Sequence, residues 1–105
     1  MSVDLKLGNT EIKFWNYMHY SSDNYGVHSR ALMIGNLTLF FSYNTVIGFQ
    51  YDGEQYYCEN TFSRTTGKHL SVLCPDKTKR MKQVAFQRLL DKALSDFKWF
   101  NLLEK

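Results

Sequence analysis

Proline occurs once in 105 residues, at Pro75. A chain so poor in proline carries no rigid proline-rich linker and no low-complexity stretch of that kind. Cysteine occurs twice, as Cys58 and Cys74, without C-x-x-C spacing. Two reduced thiols are therefore expected, with a disulfide or a metal site as the minor alternative. No apolar run approaches the roughly 20 residues of a membrane span. Residues 1–10 hold Asp4 and no long apolar core, so they do not read as a secretion signal. The expected compartment is the cytoplasm, with no membrane contact. No internal repeat is visible.

What is present is a globular composition, 44% hydrophobic and 22% charged, with aromatics high at 16%. The length fits a single domain, residues 1–105. The net charge of +3 is unevenly spread. Residues 1–63 carry three Lys and Arg against six Asp and Glu, a net of −3. Residues 64–105 carry ten against four, a net of +6. An acidic front and a basic back point to a partner for the back, either nucleic acid or an acidic protein face. Ordinary solvated charge is the plain alternative.

Residues 11–20 alternate. Ile12, Phe14, Met18 and Tyr20 share one side, and Glu11, Lys13, Trp15, Tyr17 and His19 share the other. That is strand periodicity, and the polar stretch 21–26 that follows reads as a loop. Gly35-Asn36 suits a primed two-residue turn pairing Ile34 with Leu37, Leu32 with Leu39 and Arg30 with Phe41. Asp52-Gly53 is the stronger turn, because a type I′ turn needs φ > 0 at both central residues. It pairs Gln50 with Gln55, Phe49 with Tyr56, Gly48 with Tyr57 and Ile47 with Cys58. Ile47, Phe49, Tyr56 and Cys58 then share a core face, and Tyr57 lies over the bare backbone of Gly48. Tyr43-Asn44-Thr45 joins the hairpins as a tight turn or a bend.

Pro75-Asp76 reads as the end of the strands and the start of a helix, with Asp76 or Thr78 as N-cap. Phe86, Leu89, Leu90, Ala93 and Phe97 recur at helical spacing, so one face docks on the sheet. Ser95-Asp96 can cap a second short turn carrying Trp99, Phe100, Leu102 and Leu103. The expected fold is α+β: an antiparallel sheet of four to five strands, built from two hairpins, with one C-terminal helix packed on a face.

The chemistry-bearing stretch is 62–70, Phe-Ser-Arg-Thr-Thr-Gly-Lys-His-Leu. It is expected to form a surface turn that needs Gly67, with Phe62 and Leu70 anchored in the core and Arg64, Lys68 and His69 outside. A phosphate-binding loop is excluded, since Phe62 replaces the first glycine and His69 replaces the Ser/Thr that reaches magnesium. His19, His28 and His69 lack metal-ligand spacing, and no acid or nucleophile adjoins His69 in sequence. A hydrogen-bonded structural histidine is the plain reading, and no catalytic residue or cofactor is assigned. Lys77, Lys79, Arg80 and Lys82 crowd the expected helix start, where a cation is unfavourable unless it holds an anion. Lys77, Arg80, Val84, Arg88 and Lys92 fall together in projection, a mixed basic and apolar strip typical of a protein contact. Trp15, Tyr17 and Tyr57 can stack bases, though such residues more often cover glycine and fill a second layer.

Ser42-Tyr43-x-Thr45-x-x-x-Phe49 and Asn60-x-Phe62-Ser63-x-Thr65-Thr66-Gly67-Lys68-His69-Leu70 resemble a group of small uncharacterised proteins carried by phages and plasmids. That group reads S-Y-x-T-x-V-x-F and then T-T-G-K-H-L. The likeness covers residues 38–73 and departs at Ile47-Gly48, where the group often has Val-Ala. It implies a mobile-element protein that acts by binding in the host cell. The expected partner is a host defence protein, such as a CRISPR nuclease, or its nucleoprotein complex. Arg64, Lys68, His69, Lys77, Arg80, Val84 and Arg88 are the expected partner-binding residues. The alternative is a nucleic-acid-binding accessory protein that uses the basic C-terminal third.

Overall fold

The structure, a computed structural model, describes residues 3–7, 10–17, 28–62 and 64–103. Its strands are β1 (Val3–Leu7), β2 (Thr10–Asn16), β3 (Ser29–Ile34), β4 (Leu37–Ser42), β5 (Thr45–Tyr51) and β6 (Glu54–Tyr57). They form one antiparallel sheet in sequence order, β1-β2-β3-β4-β5-β6. Two helices follow, α1 (Arg64–Leu73) and α2 (Gln83–Leu103), so the fold is α+β. One helix was expected and two are found. β1 joins the strands that the turns mark out. The expected strand end at 18–20, the loop at 21–26 and His19 lie outside the described residues.

Both hairpins have the register that their turns dictate. Gly35 (φ 60) and Gly53 (φ 84) lie in the left-handed region, as primed turns require. Asp52 joins Gly53 there at φ 53. Ile34 pairs with Leu37, Leu32 with Leu39 and Arg30 with Phe41. Across the second hairpin Phe49 pairs with Tyr56 and Gly48 with Tyr57. The Cys58 amide donates to the Ile47 carbonyl at 3.0 Å. Tyr43-Asn44 makes the connecting turn, with Ser42 paired to Thr45. Its first residue is strained, because Tyr43 is a non-glycine at φ 57.

Strand alternation sorts the sheet into two faces. Phe14, Leu32, Leu39, Phe41, Phe49 and Tyr56 share one by their pairings; Trp15, Ala31, Phe40, Gly48 and Tyr57 share the other. A bulge at Phe40/Phe41 lets Val46 oppose Phe41. The core holds Ile47, Phe49 and Cys58 from the second hairpin, Leu70 from α1, and Phe86, Leu90 and Ala93 from α2. Phe49 and Phe86 set their rings 5.6 Å apart. Tyr56 packs on Phe49 at 5.3 Å but is only half-buried.

Asp76 caps something smaller than the expected helix. Its carboxylate accepts from the Thr78 amide and hydroxyl at 3.0 and 2.6 Å, starting a single 3-10 turn, Lys77–Lys79. The chain then runs beside β6. Met81 bridges Cys58 in parallel, donating to the Tyr57 carbonyl at 2.8 Å and accepting from the Glu59 amide at 2.7 Å. That rung satisfies backbone groups at the end of an edge strand. Only then does α2 start, and it runs on through Ser95 and Asp96 without the second cap expected there. The side chains of Trp99, Phe100, Leu102 and Leu103 lie outside the described residues.

Candidate functional site: a buried clasp and two exposed surfaces

The stretch expected to be a surface turn is helical. Thr65, Thr66 and Gly67 are poor helix formers as a set, yet α1 spans Arg64–Leu73. The reason is tertiary. Thr66, His69 and Leu70 recur at i, i+3 and i+4 and are buried, 4%, 0% and 0% exposed. Packing and hydrogen bonding there outweigh the propensity cost. Gly67 is not among the residues at positive φ, so it serves no turn. An added Cβ there would meet Asn60 Nδ2 at 2.9 Å, so the glycine permits a close approach of the segment before the helix. Leu70 is an anchor as expected, but Phe62 is 47% exposed and pins nothing in the core.

What α1 holds is the end of β4. Ser42 Oγ lies 2.7 Å from His69 Nδ1 and 2.9 Å from Thr66 Oγ1, all three groups buried. The two halves of the sequence motif, Ser42-Tyr43 and Thr66-His69, thus meet as a polar clasp inside the protein. Around it Tyr17 packs edge-on against His69, ring centroids 6.0 Å apart, and against Phe40 at 5.8 Å. The Tyr17 hydroxyl donates to the Phe41 carbonyl at 2.7 Å, and burial pushes its phenol pKa well up. Tyr57 continues the layer from Phe40, its pKa raised first by burial. Gly48 beneath it has no room for a Cβ, which would fall 2.3 Å from Tyr57 Cδ1. These aromatics fill a second layer rather than offering open stacking faces; Trp15, too, is half-buried.

A serine hydroxyl 2.7 Å from an imidazole has nucleophile–base spacing. Here Ser42 is 2% exposed and His69 0%. Both groups are shielded from solvent at the junction of β4 and α1. The pair makes an architectural contact, and His69 is removed from the expected partner-binding surface.

The remaining expected residues divide. Arg64 and Lys68 are exposed, one turn apart on α1, with the 48%-exposed Val72 a turn further on. Lys77 is exposed on the 3-10 turn. Arg80 is spent internally: its Nε and Nη2 donate to the Cys74 carbonyl at 3.0 and 2.9 Å. Val84 is 69% exposed and Arg88 is exposed one turn along α2. The basic cluster does not sit in the first turn of α2, because Lys77 and Lys79 belong to the 3-10 turn and α2 begins at Gln83. The anion site expected at the helix start is therefore not assembled.

Sequence reasoning missed the other surface. A cleft of about 280 Å³ opens on the β2–β4 part of the sheet, lined by Phe14, Arg30, Ala31, Leu32, Phe41, Tyr43 and Asn44. Phe14 and Tyr43 are 44% and 42% exposed. The signal was there in the alternation that puts Phe14 on one side of β2 and in the pairings of Leu32 and Phe41, which sequence reasoning used only for strand register. A second hollow of about 290 Å³ lies between α2 and the second hairpin, with Asp52, Glu54, Lys92 and Asp96 around Tyr51 and Tyr56. The Tyr56 hydroxyl is bonded to Glu54, which raises its pKa.

No group of three or more His, Cys, Asp or Glu is placed to hold a metal among the described residues. Cys58 and Cys74 are free and buried. Burial pushes the Cys58 thiol up to about 11, so it is a poor nucleophile. Among the described residues no helix is long and apolar enough to cross a membrane. Residues 9–88 match the model of DUF8033, a family of unknown function, and the chain belongs to that family. No curated protein and no solved structure matches it.

Proposed function

We propose that this member of the DUF8033 family is a non-enzymatic binding protein of the kind carried by phages and mobile elements. It inhibits a host defence effector, an anti-CRISPR type of action, by docking on that protein or its nucleoprotein complex in the host cytoplasm. The observation that carries the reading is the outer surface of the helices. Val84, 69% exposed, stands beside Arg88, and Val72 stands beyond Arg64 and Lys68. Exposed valines among cations resemble the mixed make-up of a protein interface more than a solvated face. With His69 and Arg80 engaged internally, the docking set narrows to Arg64, Lys68, Lys77, Val84 and Arg88. The buried clasp ties α1, and with it Arg64, Lys68 and Val72, to the end of β4.

The test is a target-cleavage assay with purified CRISPR effector complexes. The wild type should inhibit cleavage, and Val84→Asp with Arg88→Glu should abolish inhibition while the melting temperature holds. Inhibition unaffected by those changes, or none by the wild type, counts against the reading.

A second reading has its own observation, the net charge of +6 in residues 64–105. A nucleic-acid-binding accessory protein would bind oligonucleotides at physiological salt, with affinity falling steeply as salt rises. A protein inhibitor would show little affinity for bare nucleic acid under those conditions.

A further inference from the structure

The cleft between Phe14 and Tyr43 shares no lining residue with the docking set invoked above. We propose that it is a binding site for a peptide segment of a protein partner, one presenting a carboxylate beside a large apolar side chain. The proposal does not rest on the helix-surface reading.

Its walls are apolar: Phe14, Leu32, Phe41 and Tyr43. Two of them, Phe14 and Tyr43, leave over two-fifths of their surface in water. Large apolar side chains left exposed around a hollow gain when an apolar group fills it. The volume, about 280 Å³, suits one large side chain and its neighbours rather than a folded domain.

Among the described lining residues Arg30 is the one charge and none is a carboxylate. Arg30 forms no side-chain hydrogen bond or ion pair among the described residues. An arginine beside an apolar wall can match a carboxylate bidentately. The charge complement is thus one anion next to one apolar group. A nucleotide offers the same pair of features, as phosphate and base. A single arginine matches one carboxylate, whereas a chain of phosphates gains little from it.

The rim is held in place at an energetic cost. Tyr43 sits at φ 57, and its ring stacks on His28 with centroids 4.2 Å apart. The neighbouring backbone is fixed by the Tyr43 amide donating to the His28 carbonyl at 3.0 Å. A strained aromatic at the mouth of a cleft is pre-organised for a ligand.

The test is a resonance-by-resonance titration of the whole protein with four probes: a blocked Gly-Glu-Phe-Gly peptide, its Gln-Phe and Glu-Gly counterparts, and a thymidine decamer. The Glu-Phe peptide should shift Phe14, Leu32 and Tyr43 signals saturably. Each counterpart peptide should bind about fivefold more weakly or worse. Arg30→Gln should weaken Glu-Phe by a similar factor and leave Gln-Phe unchanged, with an unaltered melting temperature. Val84→Asp should leave all of this intact, which separates failure here from failure of the helix-surface reading. The proposal is overturned if Glu-Phe gives no saturable shift at millimolar concentration, or if Gln-Phe binds equally well. It also fails if the decamer binds these residues more tightly than the peptide. Concentration-dependent sedimentation that Arg30→Gln abolishes would assign the cleft to a second copy of the chain, and would likewise overturn it.

Discussion

Replacing Ser42 by alanine tests whether the shared motif is an internal clasp. The substitution deletes one hydroxyl and both of its contacts, the 2.7 Å one to His69 Nδ1 and the 2.9 Å one to Thr66 Oγ1. Each partner stays buried after losing it, since Thr66 is 4% and His69 0% exposed. Losing a buried hydrogen bond costs about 0.5–1.5 kcal/mol net. Two such losses come to about 1–3 kcal/mol, out of a total of about 5–15 kcal/mol for a domain of this kind. The melting temperature should fall by on the order of 5–15 °C. Urea unfolding followed by circular dichroism measures the free energy directly. A cycle with Thr66→Val, of nearly equal volume, should show coupling of about 1 kcal/mol or more. A loss below about 0.5 kcal/mol would refute the clasp, as would simple additivity with Thr66→Val. A catalytic Ser42–His69 pair predicts the opposite pattern: intact stability and a lost activity.

Three more expectations follow from the interior. Gly48→Ala should destabilise by about 1–3 kcal/mol, because its Cβ would fall 2.3 Å from Tyr57 Cδ1; in a Tyr57→Ala background the same change should be neutral or stabilising in urea titrations. Gly67→Ala should change stability by less than about 1 kcal/mol, since the gain in helix propensity offsets displacement of the Asn60 amide 2.9 Å away; a larger loss in urea titrations would restore a conformational role for the glycine. The Cys58 thiol has its pKa raised from 9.0 to about 11, so the unfolded chain loses its proton first as pH rises; this group's contribution is whole below about pH 9 and lost between about 9 and 11, and a thiol reagent at pH 8 should label Cys58 only after urea unfolding.

The hairpins were legible because two-residue turns with glycine leave the register little freedom. Gly35-Asn36 and Asp52-Gly53 fix it, and pleat alternation then places Tyr57 over Gly48 without reference to anything distant. The α2 face was legible for the same reason, its apolar residues repeating at helical spacing. α1 was not. Its inward side is Thr66, His69 and Leu70, at helical spacing but mostly polar, so a hydropathy reading passes over it. The helix depends on Ser42, 24 residues before Thr66, and no local rule supplies that partner. The start of α2 was misplaced because Asp76 is a good cap, and a cap signal does not state how long the capped turn runs. β1 was missed because its five residues were read for a leader rather than for alternation. Of the expected surface, Arg64, Lys68, Lys77, Val84 and Arg88 are exposed, though Arg64 and Lys68 stand on a helix instead of a turn and Lys77 on the 3-10 turn instead of α2. His69 and Arg80, by contrast, satisfy buried groups elsewhere in the chain.

The clasp and the cleft are adjacent in sequence and share a ring contact, Tyr43 with His69 at 6.3 Å, so each supports the other. Ser42 is the last residue of β4, and the next residue, Tyr43, bends into the left-handed region and lines the cleft. That bend costs roughly 1–2 kcal/mol, and some contact must hold it. The holding contacts are Ser42 to α1 on one side and the Tyr43 ring on His28 on the other. Loosening the clasp therefore frees Tyr43 to relax and blurs the cleft rim. Removing Arg30 from the cleft leaves the clasp untouched, because no described side-chain contact joins Arg30 to it. The family match over residues 9–88 takes in the clasp, the cleft and the Val84–Arg88 turn of α2 together. A motif of serine, threonine and histidine that reads as chemistry in the sequence thus acts through position, by setting the direction of the aromatic residue beside it.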